Sequence, residues 1–455
     1  MMKLTGAVVK YVRVLAALLA VLLAALLAAG LFTGCPPVDG PNNDETTVSS
    51  HGGPLILAHW MPWYIGPRFQ REMDSPAAFG LPGGSGHWRG WSRYEPWLTD
   101  EQGRARIAAR QYPLTGPYHS ANPALLDFQA SLMIIAGIDG VIIDWYGAYV
   151  ANDFGFNHDN TVALVETLRR AGLNFLIMYE DNTLNMMGMQ NVTPRSLDIG
   201  KYSINWAAAN WFNDPLYVRF QGRPVLLCFG PQHFNRQDHW DFLFSDVHPR
   251  PWFGDIDNRF HWSDATFNWP PMHLSYRNDG ILTEAELTGY LQRFYARNAA
   301  SPFRIATVFS AFHDSYAQSF GYLSYNDGQT FRLTWDMAMD FEPHVIQIAT
   351  WNDFGEGTII EPTMERGYNE LEFIQNKVRE WNPDFPFTRE DLRWPLEFYR
   401  LRFTETATAE EEAAIQAATA ALFRRDAEAF RAAAHSVRAG LAVDVNDLRP
   451  ILRVP

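Results

Sequence analysis

Eight short apolar segments recur along this chain, and the spacing between them is what most constrains its fold. We predict buried strands at 55–60, 140–145, 175–180, 224–229, 251–255, 265–269, 304–309 and 344–351. Helix-like stretches lie between several of them, at 124–136, 160–172, 284–298 and 330–341. Strands that alternate with helices form parallel sheets from βα units. Eight strands within roughly 300 residues therefore predict a (β/α)8 barrel of the TIM type.

A doubly wound open sheet is the alternative arrangement of the same βα units. Sheets of that kind that bind nucleotides carry a Gly-rich phosphate loop after a strand, and this sequence has none. The composition, with 47% hydrophobic and 19% charged residues, supplies a large core for either fold. The missing loop favours the barrel.

The start of the chain has the pattern of an export signal. Basic residues precede the apolar run 14–32, and small residues lead to Cys35 in a sequence similar to a bacterial lipobox. We predict a lipoprotein-type signal peptide over 1–35, with lipidation at Cys35, followed by a flexible polar tether over 36–53. An uncleaved membrane anchor is the alternative. Both place the remaining chain outside the cytoplasm, attached to a bacterial membrane.

The predicted barrel domain, 54–400, carries two additions. Residues 61–123 are rich in Gly, Pro, Trp and His and predict a long ordered loop after the first strand, over one mouth of the barrel. Residues 405–441 are rich in Ala, Glu and Arg and predict a C-terminal helical hairpin. This hairpin either packs on the barrel or serves as a docking surface for a protein partner.

Charge and cysteine content exclude several kinds of site. The formal net charge of −14 disfavours nucleic acid and acidic lipid surfaces as partners. The two cysteines, Cys35 and Cys228, cannot form a disulfide framework or a cysteine-based metal site once Cys35 carries lipid. The 13 histidines include no HExxH motif. We therefore predict no cofactor and no metal.

Polar and aromatic side chains follow most of the predicted strands, where a barrel of this type has its active site. They are His59, Trp60, Trp63 and Tyr64 after the first strand, Asp144, Trp145 and Tyr146 after the second, Tyr179 and Glu180 after the third, Trp269 after the sixth, His313 after the seventh, and Trp351 and Asn352 after the eighth. Aromatic faces stack on sugar rings, while carboxylates, amides and imidazoles bind hydroxyls. These residues predict a carbohydrate-binding cleft.

Two carboxylates, Asp353 and Glu356, lie in the Gly-rich segment TWNDFGEGT that follows the last predicted strand. Cleavage of a glycosidic bond needs two carboxyl groups, one to protonate the leaving oxygen and one to assist at the anomeric carbon. Burial or a neighbouring charge keeps one of them protonated. We predict that this pair is catalytic, whereas Glu361 and Glu365 lie too far beyond the loop to be assigned a role.

The segment WNDFGEG resembles the acidic signature of glycoside hydrolase family 71, the endo-α-1,3-glucanases, in which Asn-Asp-aromatic-Gly-Glu closes the barrel. It is also similar to family 99, the endo-α-mannosidases, whose Asn-Glu-Trp-His-Glu-Gly-Thr has the same spacing. AHWM resembles family 71, while PWY, GHW and EGTIIEP are closer to family 99. The resemblance covers roughly residues 54–385 and indicates a member of the wider 71/99-like group.

This resemblance implies a hydrolase of α-linked glycans, of the α-mannan or α-1,3-glucan type, with Glu356 as general acid. Asp353 would be the base, acting either on water or on the sugar's own 2-hydroxyl. Family 99 has Glu where Asp353 stands, and Asp is one methylene shorter. The sequence thus predicts an exported glycoside hydrolase whose partner is an oligo- or polysaccharide. The alternatives are a non-catalytic glycan-binding lipoprotein and a cell-envelope scaffold that binds a partner through 405–441.

Overall fold

The computed structural model describes residues 45–66, 86–90, 93–277, 279–316, 321–404 and 406–437. Its centre is a barrel of eight parallel strands, which pair in the order β6-β5-β4-β3-β2-β1-β8-β7. The strands are β1 (Leu55–Trp60), β2 (Gly140–Trp145), β3 (Asn174–Tyr179), β4 (Arg223–Cys228), β5 (Trp252–Ile256), β6 (Ala265–Phe267), β7 (Ile305–Val308) and β8 (Val345–Ile348). Each lies within a few residues of a predicted strand, so the predicted (β/α)8 barrel is confirmed.

The two end strands of this sheet, β6 and β7, form no backbone ladder among the described residues. Hydrogen bonds that involve side chains join them instead. Thr307 on β7 donates its backbone N–H to Asn268 Oδ1 at 3.3 Å and its hydroxyl to the Asn268 carbonyl at 2.5 Å. Asn268 directly follows β6. Gln347 on β8 donates to the Thr307 hydroxyl at 3.0 Å. All three residues are fully buried, so a polar layer closes the barrel between β6 and β7.

Helices cover the outside of the barrel. They are α1 (Pro123–Ala136), α2 (Phe154–Ala171), α3 (Pro194–Asn210), α4 (Gln237–Leu243), α5 (Glu284–Asn298), α6 (Gln329–Asp340), α7 (Asn369–Trp381) and α8 (Trp394–Phe403). Shorter elements are the helical turns Thr183–Met186, His87–Arg89, Met272–Arg277, Asn326–Gly328 and Asp391–Arg393, the hairpin of Phe312–His313 with Tyr322–Leu323, and Arg219–Phe220, antiparallel to β4.

Local sequence explains where these helices begin. Asn122 accepts hydrogen bonds from the N–H groups of Ala124 and Leu125 at the start of α1, as an N-cap residue does. Thr193 forms a reciprocal capping box at the start of α3. We predicted α1, α5 and α6 almost to the residue, but α2 begins six residues earlier than expected. The predicted helices do not include α3, α4, α7 and α8, although the buried residues Leu371, Ile374 and Val378 of α7 recur at helical spacing.

Residues 45–53, the described part of the predicted tether, lie against the barrel at the N-terminal ends of the strands. Thr47 and Arg219 are joined by two hydrogen bonds of 2.9 Å. His51 is buried, and its Nε2 lies 3.0 Å from Oδ2 of Asp139. The domain therefore extends at least to residue 45.

The predicted signal peptide 1–35, Cys35 and the first part of the tether lie outside the described residues. So do 67–85 of the predicted long loop and the last residues of the 405–441 segment. Within the part of the chain that the structure describes, no helix is both long enough and apolar enough to cross a bilayer.

The predicted C-terminal helical hairpin is confirmed as α9 (Ala409–Phe423) and α10 (Ala427–Val437). It buries Ile415, Leu422 and Phe430. Arg402 on α8 bonds Glu412 on α9 at 2.8 Å and Asp127 on α1 at 3.2 Å. The described hairpin thus packs on the outer helices of the barrel.

Candidate active site

Alternation along the strands decides which of the predicted site residues reach the barrel interior. Successive strand side chains point to opposite faces, and Trp60, Trp145 and Tyr179 point toward the helices. Trp60 Nε1–H donates to Gln129 on α1 at 2.9 Å, and Trp145 Nε1–H donates to His158 on α2 at 3.1 Å. All three predicted residues are almost completely buried. The structure places them in the layer between strands and helices, away from the interior.

The preceding residues on β1 and β2 point into the barrel. His59 meets the ring of Trp269 edge to face at 4.8 Å between centroids, and burial lowers the pKa of His59 to about 3. Asp144 is 1% exposed, and its Oδ1 has no hydrogen-bond partner among the described residues. Glu180, directly after β3, is close enough to raise the pKa of Asp144 further. His59, Asp144, Glu180 and Trp269 therefore share the interior at the strand exits.

Asn352 anchors the predicted catalytic loop to the segment after β1. Its Oδ1 accepts the Met61 N–H at 2.7 Å, and its Nδ2 donates to the Met61 carbonyl at 3.1 Å and to the Tyr118 hydroxyl at 3.3 Å. The Tyr64 hydroxyl donates to the Asn352 carbonyl at 2.9 Å and accepts the Phe354 N–H at 3.0 Å. Asn352 and Tyr64 are fully buried, so both position the loop.

Asp353 and Glu356, which are three residues apart, lie in a tight turn. Asp353 Oδ1 accepts the backbone N–H of Glu356 at 3.0 Å, and the Asp353 carbonyl accepts the Gly357 N–H at 3.0 Å. Gly357 has φ +68°, a conformation that glycine adopts at little cost. Asp353 is 4% exposed, whereas Glu356 is half-buried.

Four carboxyl groups converge at this point, and each has a raised pKa. Burial raises the pKa of Asp353 to about 7 and that of Glu180 to about 8. Burial, and then the charges of neighbouring carboxylates, raise the pKa values of Asp144 and Glu356 well above their usual range. Among the described residues, no lysine or arginine forms an ion pair with any of the four. Because the cluster has no such counter-charge, part of it stays protonated at neutral pH.

Hydrogen bonding distinguishes the two acids of the loop. The N–H of Glu356 and the hydroxyl of Tyr316, 3.4 Å from Oδ1, lower the pKa of Asp353 and oppose the effect of burial. In the described structure nothing donates to the carboxyl of Glu356, whose pKa is raised by burial and by Asp353, Asp314 and Glu180. Asp353 therefore ionises more readily, and Glu356 keeps its proton to higher pH.

Aromatic rings form one wall beside the acids. Trp63 stacks on His87, with centroids 4.1 Å apart and planes at 15°. Tyr146 lies 6.1 Å from Trp63, and after burial the charges of nearby carboxylates, including Asp353, raise its pKa. Burial lowers the pKa of His87 to about 3, so this imidazole is neutral.

The two remaining predicted residues, Trp351 and His313, form backbone hydrogen bonds at the ends of the loop. The Trp351 N–H donates to the His59 carbonyl at 2.6 Å, and the Trp351 side chain is fully buried. The His313 N–H donates to the Glu356 carbonyl at 2.7 Å. The His313 ring is partly exposed, and burial lowers its pKa.

Sequence reasoning missed several residues that support the loop. Glu361, which we set aside as too distant, is buried beneath it. Its Oε2 accepts the Tyr118 hydroxyl at 3.0 Å and Gln129 Nε2–H at 2.8 Å. Tyr118 in turn holds Asn352. His87, in the segment GHW, and Tyr316, three residues after the predicted His313, were not among the predicted residues. Their position beside Asp353 depends on the folding of two separate loops.

We predict that the buried carboxyl of Glu361 makes the free energy of unfolding depend on pH. Burial raises its pKa from 4.5 to about 8, so the folded state binds a proton that the unfolded chain has lost. The stability that this group contributes is complete below about pH 4.5 and is lost as the pH rises through 8. We expect wild type to lose stability relative to Glu361→Gln over this range, by at most about 1.4 kcal/mol per pH unit.

Urea unfolding of both proteins at a series of pH values measures this difference. Glu342→Gln, at a side chain that is 88% exposed, is the matched control and should parallel wild type. A Glu361→Gln variant that also parallels wild type would contradict the prediction.

The described residues contain no group of three or more His, Cys, Asp or Glu side chains arranged to hold a metal ion.

Comparisons with known proteins bear on the fold. No protein-family model matches the sequence, and no curated protein is significantly similar to it. The structure resembles the GH99 endo-α-mannosidase from Bacteroides thetaiotaomicron in complex with bis-tris-propane, with a TM-score of 0.51 and 15% identity over 77% of this chain and 98% of that chain.

A second structure of that enzyme gives a TM-score of 0.51 and 15% identity, over 76% of this chain and 99% of that one. A glycoside hydrolase-like protein gives a TM-score of 0.48 and 14% identity, over 76% of this chain and 98% of that one. The two structures of the family 99 enzyme confirm the predicted resemblance to that family at the level of the fold. This chain shares the overall fold of a family 99 endo-α-mannosidase.

Proposed function

We propose that this protein is a glycoside hydrolase that cleaves an α-linked glycan, of the α-mannan or α-1,3-glucan type. Glu356 acts as general acid and protonates the leaving oxygen. Asp353 acts as base, either on water or on the 2-hydroxyl of the sugar being cleaved. The observation that carries the proposal is the pair itself: the buried Asp353 and the half-buried Glu356 lie three residues apart at the exit of β8, with hydrogen bonds that favour ionisation of only Asp353.

The surroundings of the pair support this assignment. A general acid must keep its proton near neutral pH, and Glu356 has the raised pKa that this requires. The donors around Asp353 favour the carboxylate that a base needs. Trp63 and Tyr146 lie beside the acids, where an aromatic ring could stack on a sugar. The shared fold with an endo-α-mannosidase points to the same class of substrate.

Release of reducing sugar from a panel of α-glycans tests the proposal. The panel includes α-1,3-glucan and α-mannan, and Glu356→Gln serves as the inactive control. We expect wild type to release sugar from at least one of them and the variant to release little. Equal, background-level release by both proteins across the panel would contradict hydrolysis and favour the glycan-binding alternative.

The configuration of the first product distinguishes the two actions of Asp353. Attack by water inverts the anomeric carbon, whereas participation of the 2-hydroxyl, followed by water, retains its configuration. Proton NMR of the sugar during the first minutes of reaction identifies the anomer. An inverted product supports water as the nucleophile, and a retained product supports the 2-hydroxyl.

The proposal includes export and membrane anchoring through lipid on Cys35. The apolar run 14–32, the basic residues before it and the small residues before Cys35 support this. We expect the full chain to fractionate with bacterial membranes and Cys35→Ser to lose lipid labelling. Lipid labelling of the variant equal to that of wild type would contradict anchoring at this residue.

A further inference from the structure

Tyr316 lies against the backbone of the predicted catalytic loop, between its two acids. A Cβ atom on Gly355 would overlap Cζ and Oη of the Tyr316 ring. Residue 355 therefore has to be glycine for steric reasons while Tyr316 keeps this position. Close packing of this kind fixes a ring far more tightly than a surface contact does.

The segment that carries Tyr316 is joined to the same loop by its backbone. The Ser315 N–H donates to the Gly355 carbonyl at 2.6 Å, and the His313 N–H donates to the Glu356 carbonyl at 2.7 Å. Asp314 accepts the Tyr316 N–H at 2.7 Å. Residues 313–316 and the catalytic loop thus hold each other in register.

The Tyr316 hydroxyl has a polar partner on each side. Asp353 Oδ1 lies 3.4 Å away, and Nδ1 of His87 lies 2.9 Å away. His87 is stacked on Trp63, so its ring cannot turn freely. In this way loops that follow β1, β7 and β8 meet at the Tyr316 hydroxyl. Its other oxygen, Oδ2, forms no hydrogen bond among the described residues.

Other titratable groups also surround Asp353. They are Glu356 on its own loop, Asp314 after β7, Asp144 and Tyr146 at the exit of β2, Glu180 at the exit of β3, and Tyr64 after β1. The carboxylates among them oppose ionisation of Asp353. Hydrogen-bond donors favour it, and apart from backbone N–H groups the side-chain donor among the described residues is Tyr316.

We propose that Tyr316 is a positioning residue for Asp353: its hydroxyl accepts Nδ1–H of His87 and donates to Oδ1, which favours the carboxylate and leaves Oδ2 to act as base. This role rests on the proposed function, because it assumes that Asp353 is the base. The residue acts through Asp353 and need not touch the substrate.

The pH profile of kcat/KM tests the role in Tyr316→Phe, which keeps the ring against Gly355 and removes only the hydroxyl. Loss of the donor destabilises the carboxylate, so the acid limb of the profile should move about one unit to higher pH. Tyr322→Phe, on the neighbouring hairpin strand, is the matched control and should leave the limb unchanged. A Tyr316→Phe limb that coincides with that of wild type would overturn the proposal.

A second readout does not need turnover. Carbon-13 labelling of aspartate carboxyls gives a resonance for Asp353, identified by its absence in Asp353→Asn. Its midpoint should lie at higher pH in Tyr316→Phe than in wild type, and equal midpoints would overturn the role. If no glycan is cleaved, the hydrolase proposal fails, and this titration still decides whether Tyr316 controls Asp353.

Discussion

Glu356→Gln is expected to lower kcat by about 10²- to 10⁴-fold, the usual contribution of a general acid. The amide has nearly the same shape as the carboxyl but has no acidic proton to give to the leaving oxygen. Since Glu356 is half-buried and its carboxyl receives no hydrogen bond among the described residues, the substitution should leave the fold intact. Initial rates on the best natural substrate, with thermal unfolding of both proteins, measure the effect.

The acidity of the leaving group provides a more specific test of Glu356 as general acid. An aryl α-glycoside with an acidic phenol needs little protonation, so its cleavage should be slowed far less than that of the natural glycan. Glu342→Gln, at an exposed position, should retain wild-type rates on both substrates. Equal slowing of both substrates by Glu356→Gln would assign Glu356 a role other than general acid.

Trp60→Ala is expected to destabilise the fold by about 3–5 kcal/mol, the usual cost of deleting a large buried aromatic side chain. The sequence predicted Trp60 as a substrate-binding residue, but its ring is fully buried between β1 and α1. The substitution would leave a cavity and would remove the donor from Gln129. Urea unfolding measures the loss, and KM for the glycan should change little while the variant stays folded.

Trp97→Ala is the matched control, because the Trp97 side chain is 43% exposed and should contribute little stability. A Trp60→Ala variant as stable as wild type, with a raised KM, would instead support the substrate-binding role that the sequence suggested.

The position of the acid pair could be predicted from the sequence because a single segment carries it. Asp353 and Glu356 are neighbours in the chain, and strand exits meet at one end of any parallel barrel. The contacts that hold this loop in place come from distant segments of the chain and could not be predicted. The chain from Asn352 through Tyr118 to Glu361 joins residues up to 243 positions apart, and no local pattern marks such pairs.

The sequence also did not show which side chains of a strand face the barrel interior and which face the helices. His59 and Trp60, like Asp144 and Trp145, are adjacent polar and aromatic residues at a strand end, and all four looked suited to a sugar site. Strands that are buried on both faces lack the polar–apolar alternation that reveals which side faces outward. The helices behind the barrel decide this, and they receive Trp60 and Trp145.

The order of residues along the chain was enough to predict the (β/α)8 barrel, the C-terminal helical hairpin and the position of the acid pair after the last strand, because each depends on residues that are close in sequence. Tertiary structure alone decided which aromatic residues enter the core, how the barrel closes at Asn268 and Thr307, and that Tyr316 binds Asp353. These features depend on contacts between distant segments, which form only when the chain has packed.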